Sequence, residues 1–159
     1  MKCLISGPRL ATNVRGFSLV ELLMGLVIGT ILTAMAVPYV EDIQNQYRMQ
    51  GAVSAATWAI QSTRYQALMA GYPYQVVLKK STETYQIQNL PPAATTYANV
   101  GTAVPISGSS VTLNQDTTLQ FQPNGSITAT TGALNFTLTY NGNTKTITVS
   151  NYGNISVTP

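Results

Sequence analysis

The chain has 159 residues, 45% of them hydrophobic and only 8% charged, which is enough for one modest domain and an apolar element rather than two domains. It contains no histidine and one cysteine, Cys3, so the usual imidazole base, the commonest metal ligand and any intrachain disulfide are all missing. The formal net charge of +3 comes from Lys2, Arg9 and Arg15 near the start. The five later cations balance the five acids, which argues against a basic nucleic-acid surface.

Those three cations stand before residues 17–37, FSLVELLMGLVIGTILTAMAV, an apolar run of the roughly 20 residues that a helix needs to cross a bilayer core. Leu, Met and Ala favour helix here, and Gly25, Gly29 and Thr33 set a small-residue spacing that suits close helix approach. Basic residues on the N-terminal flank orient the span with residues 1–16 in the cytoplasm and the remainder outside it. Glu21 interrupts the run, and a carboxylate near the middle of a membrane helix costs roughly 2.5–3.5 kcal/mol. It either snorkels to the interface or meets a cation in apolar surroundings, and a new amino terminus cut just upstream would be such a cation.

Gly16-Phe17-Ser18-Leu19-Val20-Glu21, set before such a run, has the form G-F-[ST]-L-x-E and resembles the prepilin signature of the type IV filament superfamily. The resemblance implies cleavage between Gly16 and Phe17 by a prepilin peptidase, methylation of the Phe17 amine, and Glu21 as the glutamate of assembly. It also implies that Pro38 is the helix-bending proline of pilins. A bare glycine at the cut leaves the backbone accessible to a peptidase, and a buried glutamate relieved by a neighbouring subunit's amine acts as a register device. Ala34-Met35-Ala36 has the form that a conventional signal peptidase accepts. The length of the apolar run and the glutamate within it speak against that site.

Beyond Pro38, Ile43, Tyr47, Val53, Ala56, Ile60, Ala67 and Leu68 recur mostly at helical spacing, and Gly71 and Pro73 stop the pattern. One helix over about residues 17–70 is expected, bent at Pro38, with residues 38–70 as its amphipathic continuation. Trp58 reads as a core or helix-edge aromatic, Arg48 and Arg64 as solvated or paired, and Glu41 and Asp42 as surface.

The period then changes to two. Residues 74–80 and 85–90 read as a hairpin around Ser81–Thr84, followed by a long loop at 91–109 rich in Pro, Gly and small polar residues. Short strands follow at about 110–114, 118–122, 126–130, 134–140, 144–150 and 154–157, with turns at Pro123-Asn124-Gly125 and Asn141-Gly142-Asn143. The expected fold is α+β: a long N-terminal helix packed on an antiparallel β-sheet domain over 71–159.

Phe121-Gln-Pro123-Asn124-Gly125 and Ile147-Thr-Val149-Ser150-Asn-Tyr-Gly153 resemble the F-x-P-x-G and I-x-V-S-x-x-G segments of the GspH/FimT group of minor pseudopilins and minor pilins. The group implies a structural, non-enzymatic subunit of a type II secretion pseudopilus or a type IV pilus. Such a subunit is held once through the bacterial inner membrane, its C-terminal domain periplasmic, before it joins other pilin subunits. Prepilin peptidase and its methyltransferase activity are further partners, and neither cofactor nor metal is implied. Some members of the group bind DNA near the final glycine turn. The alternative of a DNA-binding minor pilin for DNA uptake rests here on Lys79, Lys80 and Lys145 alone, fewer cations than nonspecific binding needs.

Overall fold

The computed structural model describes residues 16–106 and 111–159. Residues 1–15 of the expected leader, with Cys3 and the three early cations, and the last part of the expected 91–109 loop lie outside the described residues. The chain divides into two units, the first ending at Val40 and the second running over Glu41–Pro159.

A single helix, α1, covers Leu19–Ala70. It ends as its sequence dictates. Gly71 takes a φ of 74° and its N–H reaches back to the Ala67 carbonyl at 3.1 Å, the one-bond left-handed cap that glycine allows without a Cβ penalty. In the second unit the buried face of α1 consists of Met49, Ala52, Ala56, Ala59, Ile60, Thr63 and Ala67. Four of the seven are alanine, so that the helix meets its neighbours through small side chains. The one hydroxyl in this face is satisfied, Thr63 Oγ1 donating to the Ala59 carbonyl at 2.6 Å.

Ala56, Ile60 and Ala67 are on the expected face and Val53 packs against it, whereas Tyr47 and Leu68 are not. Tyr47 is 70% and Leu68 44% exposed, and Trp58 is 59% exposed. Tyr47 lies nine residues from Ala56, which at 3.6 residues per turn is the opposite side of the helix. Close packing fills the face mainly with alanines around Met49 and Ile60, and Tyr47, Trp58 and Leu68 point outward.

Nine antiparallel strands follow: β1 Tyr74–Lys79, β2 Thr84–Asn89, β3 Ala98–Pro105, β4 Thr112–Leu113, β5 Thr117–Phe121, β6 Ile127–Thr131, β7 Asn135–Tyr140, β8 Asn143–Val149 and β9 Ile155–Thr158. They form two sheets, in the orders β3-β2-β1-β5-β6 and β4-β7-β8-β9. Alternation along the strands turns Val76, Leu78, Leu119 and Phe121 of the first sheet, and Phe136, Leu138, Ile147 and Val149 of the second, into a common core with the helix alanines. Asn141 and Gly142 link β7 to β8 with φ of 46° and 81°, the two left-handed residues of a two-residue hairpin turn.

One expectation fails here. Residues 98–105 are not loop but an edge strand, paired with β2 from Asn89↔Ala98 to Thr84↔Pro105 across an irregularity between Tyr85 and Ile87. Gly101, at φ 76°, takes up the extra residues, and the Gln86 side-chain amide donates to the Val100 and Gly101 carbonyls at 3.4 and 3.3 Å. Every residue of β3 is exposed, so the strand has no buried face and leaves no alternation to read.

Three tyrosines of this domain titrate above the ordinary 10.0. Burial raises Tyr85. Burial also raises Tyr97, with the nearby Gln120 side chain opposing the shift in part. The Tyr74 hydroxyl raises Tyr72 first, with burial second, and the two rings stack with centroids 5.3 Å apart. Folded-state values above the unfolded one mean that this contribution to stability is complete below pH 10 and is lost as pH rises through the raised values. Spectrophotometric titration of the nine tyrosines should show a late-ionising class that merges with the rest in denaturant.

Candidate functional site

Gly16 and Phe17 are exposed and precede the helix, and Phe17 presents 81% of its surface. A Cβ placed on Gly16 would meet no atom within 4 Å. Ser18 opens the helix, its carbonyl accepting the N–H groups of Glu21 and Leu22 at 3.0 and 3.1 Å. Ser18 and Glu21 stand at the N-cap and third helical positions, the spacing at which serine and glutamate cap a helix start reciprocally. The carboxylate also lies in the first turn, where the helix dipole favours an anion. Glu21 thus stands where an anion suits a helix start, as well as being the one acid of the apolar run, a position that the S-x-x-E spacing carries.

From Leu19 to Val37 every residue of α1 is exposed. A continuous apolar surface of this extent belongs in lipid or against other chains. Its two threonines are already satisfied within the helix, Thr30 Oγ1 donating to the Val27 carbonyl at 2.8 Å and Thr33 Oγ1 to the Gly29 carbonyl at 2.7 Å. That is the condition for polar groups in hydrocarbon. Gly25 and Gly29 meet nothing within 4 Å where a Cβ would stand, so their surface is open to a partner. Helix α1 runs unbroken through Pro38.

The lysines are not gathered in one sheet. Lys79 and Lys80 lie at the end of β1 in the five-stranded sheet, and Lys145 lies on β8 in the other. Lys80 is engaged locally: its Nζ donates to the Asn114 carbonyl at 3.1 Å and its backbone N–H to Asp116 Oδ1 at 2.7 Å. Arg48 donates to the Tyr140 hydroxyl at 3.1 Å. Among the described residues no group of three or more acids or cysteines stands together as a metal cage.

The two C-terminal motifs converge on Arg64. In the first, Gly125 turns at φ 84°, its N–H donating to the Gln122 carbonyl at 2.9 Å while the Gln122 N–H donates to the Ser126 carbonyl at 2.9 Å. In the second, Gly153 turns at φ 89° and its N–H reaches the Ser150 carbonyl at 2.9 Å. The Ile127 N–H donates to the Asn151 carbonyl at 2.9 Å, tying the second turn to β6 of the other sheet. A Cβ on Gly153 would lie 2.5 Å from Arg64 Cζ, and one on Gly125 would lie 3.8 Å from Arg64 Nη2. Both glycines therefore bring backbone close to the arginine, a contact that neither motif announces.

The geometry of an exposed apolar helix leading into a helix-on-sheets domain has counterparts among known proteins. Residues 11–37 match the model of the prokaryotic N-terminal methylation motif, and residues 52–153 match that of the type II transport protein GspH. The chain belongs to the GspH family. As a member it is a pilin-like structural subunit of a type II secretion pseudopilus or a type IV pilus. The GspH fold extends to solved structures. The minor pseudopilin EpsH from the type 2 secretion system of Vibrio cholerae superposes with a TM-score of 0.52 at 12% identity, over 68% of this chain and 95% of that one. The type IV minor pilin FimU of Pseudomonas aeruginosa superposes with a TM-score of 0.52 at 17% identity, over 77% and 93%. No curated protein sequence matches the chain significantly.

Proposed function

We propose that this chain is a minor filament subunit made as a precursor. It is held across the bacterial inner membrane by residues 17–37, cut between Gly16 and Phe17, methylated at Phe17 and built into a pseudopilus or pilus. The observation that carries the reading is the helix from Leu19 to Val37, apolar and exposed throughout, with a single carboxylate four residues from the amine that the cut creates. Lipid covers such a surface before assembly, and neighbouring helices cover it afterwards. Glu21 then meets the Phe17 amine of another subunit, which removes the cost of an unpaired buried charge. Pro38 marks the passage from the membrane-spanning part to the part that carries the domain, where a ring without an N–H loosens the helix ladder.

Intact-mass measurement of the mature chain tests the processing. The expected product begins at Phe17 and carries one added methyl group. A chain that begins at Val37 would mean signal-peptidase release of a soluble protein and would overturn the reading.

A further inference from the structure

Arg64 sits half-buried on α1 with its guanidinium laid over Gly153 and beside Gly125. Its Nε is buried and has no hydrogen-bond partner among the described residues. A cavity of about 210 Å³ opens beside it, lined by Ile60, Gln61, Arg64, Tyr65, Leu68, Gly153 and Ile155. No carboxylate lines this cavity. The acids of the second unit are placed elsewhere. Asp116 takes the Lys80 N–H, Glu83 lies in the turn between β1 and β2, and Glu41 and Asp42 are about six turns from Arg64 on the same helix.

We propose that this socket receives an acidic side chain of a partner subunit, a contact that rests on the filament-subunit reading above. A guanidinium drawn partly out of water without a counter-charge is costly, and a carboxylate accepting from its terminal nitrogens offsets that cost with paired, charge-assisted bonds. The surroundings suit a protein partner. Tyr65 at 63% and Leu68 at 44% exposure form an apolar rim, and Tyr152, next to Gly153, is 82% exposed. Arginine and tyrosine around a shallow pocket are the residue types that dominate interface energetics. A phosphate backbone fits less well, because no second cation lines the cavity and nucleic-acid affinity is built from several phosphate contacts.

The test is photocrosslinking of the full-length chain in cells that make the complete filament machinery, with a photoreactive amino acid at Tyr65 and, separately, at Val27. The expected result at Tyr65 is an adduct with another subunit, mapped beside an Asp or Glu. Arg64→Glu should lower its yield by about tenfold or more, Arg64→Lys should lower it less, and reversing the mapped acid to Lys should restore it in the Arg64→Glu background. Protease resistance of each variant reports folding. If Arg64→Glu does not fold, Arg64→Gln, which keeps a planar polar group without the charge, must lower the yield in its place. An adduct that is absent, indifferent to Arg64, remote from any acid or made with DNA overturns the proposal. Adducts at Val27 without one at Tyr65 would remove the socket and leave the filament reading standing, whereas silence at both positions would remove both.

Discussion

Glu21→Ala is expected to leave cleavage after Gly16 and membrane anchoring intact while lowering incorporation into filaments by about tenfold or more, since leaving one partner of a buried ion pair uncompensated costs about 3–5 kcal/mol. Immunoblots of the membrane and sheared-filament fractions measure the two steps separately. Removing a carboxylate from an apolar span makes insertion easier, so a purely anchoring role predicts normal or improved behaviour throughout. Glu21→Gln keeps a polar side chain of the same size at the third helical position but not the charge, so it separates charge pairing from the polar side chain's place at the helix start. Charge pairing requires the glutamine variant to fail like the alanine variant. If glutamine restores incorporation, the residue acts through its helix and the pairing argument falls.

Gly132→Ala should be the most damaging single-methyl change at any described glycine, with an expected loss of about 3 kcal/mol: roughly 1–2 kcal/mol for a left-handed residue that is not glycine, and the rest for displaced backbone. Gly132 lies between β6 and β7 at φ 71°, and its Cβ would stand 2.6 Å from the Asp116 carbonyl oxygen and 2.9 Å from Thr117 Oγ1. A carbonyl in the loop that enters β5 cannot swing aside as the tip of a long side chain does. Gly101→Ala is the matched control. Its φ of 76° is similar but its Cβ would meet nothing within 4 Å, so only the conformational cost of about 1–2 kcal/mol applies. Denaturant unfolding of both full-length variants in detergent gives the comparison, and equal losses would show that the contact with Asp116 is unimportant.

The consequences of a wrong side chain differ between the two halves of the molecule. In the first unit the apolar residues from Phe17 to Val37 are exposed, so their identity is tested only by lipid and by partner chains, and stability measurements on the isolated protein will scarcely register them. In the second unit Phe121 and Phe136 are wholly buried, and truncation of either to alanine has the usual cost of about 3–5 kcal/mol. Assembly and folding defects are therefore separable by position.

The apolar run, the Gly16–Glu21 motif, the helix stop at Gly71 and most of the strands were legible in the sequence because each is carried by local chemistry. An unbroken apolar stretch, a glycine at a helix end or an Asn-Gly turn constrains the chain wherever it lies. Three features were decided only by the tertiary structure. The buried face of α1 adds Met49, Ala52, Ala59 and Thr63 to the expected Ala56, Ile60 and Ala67 and leaves out Tyr47 and Leu68, because close approach favours small volume over hydrophobicity. Strand β3 exists because β2 offers it a ladder, and its fully exposed residues carry no periodic trace. Arg64 meets Gly125 and Gly153 from about 60 and 90 positions away, a convergence that the folding of both sheets against the helix creates and that no spacing along the chain records.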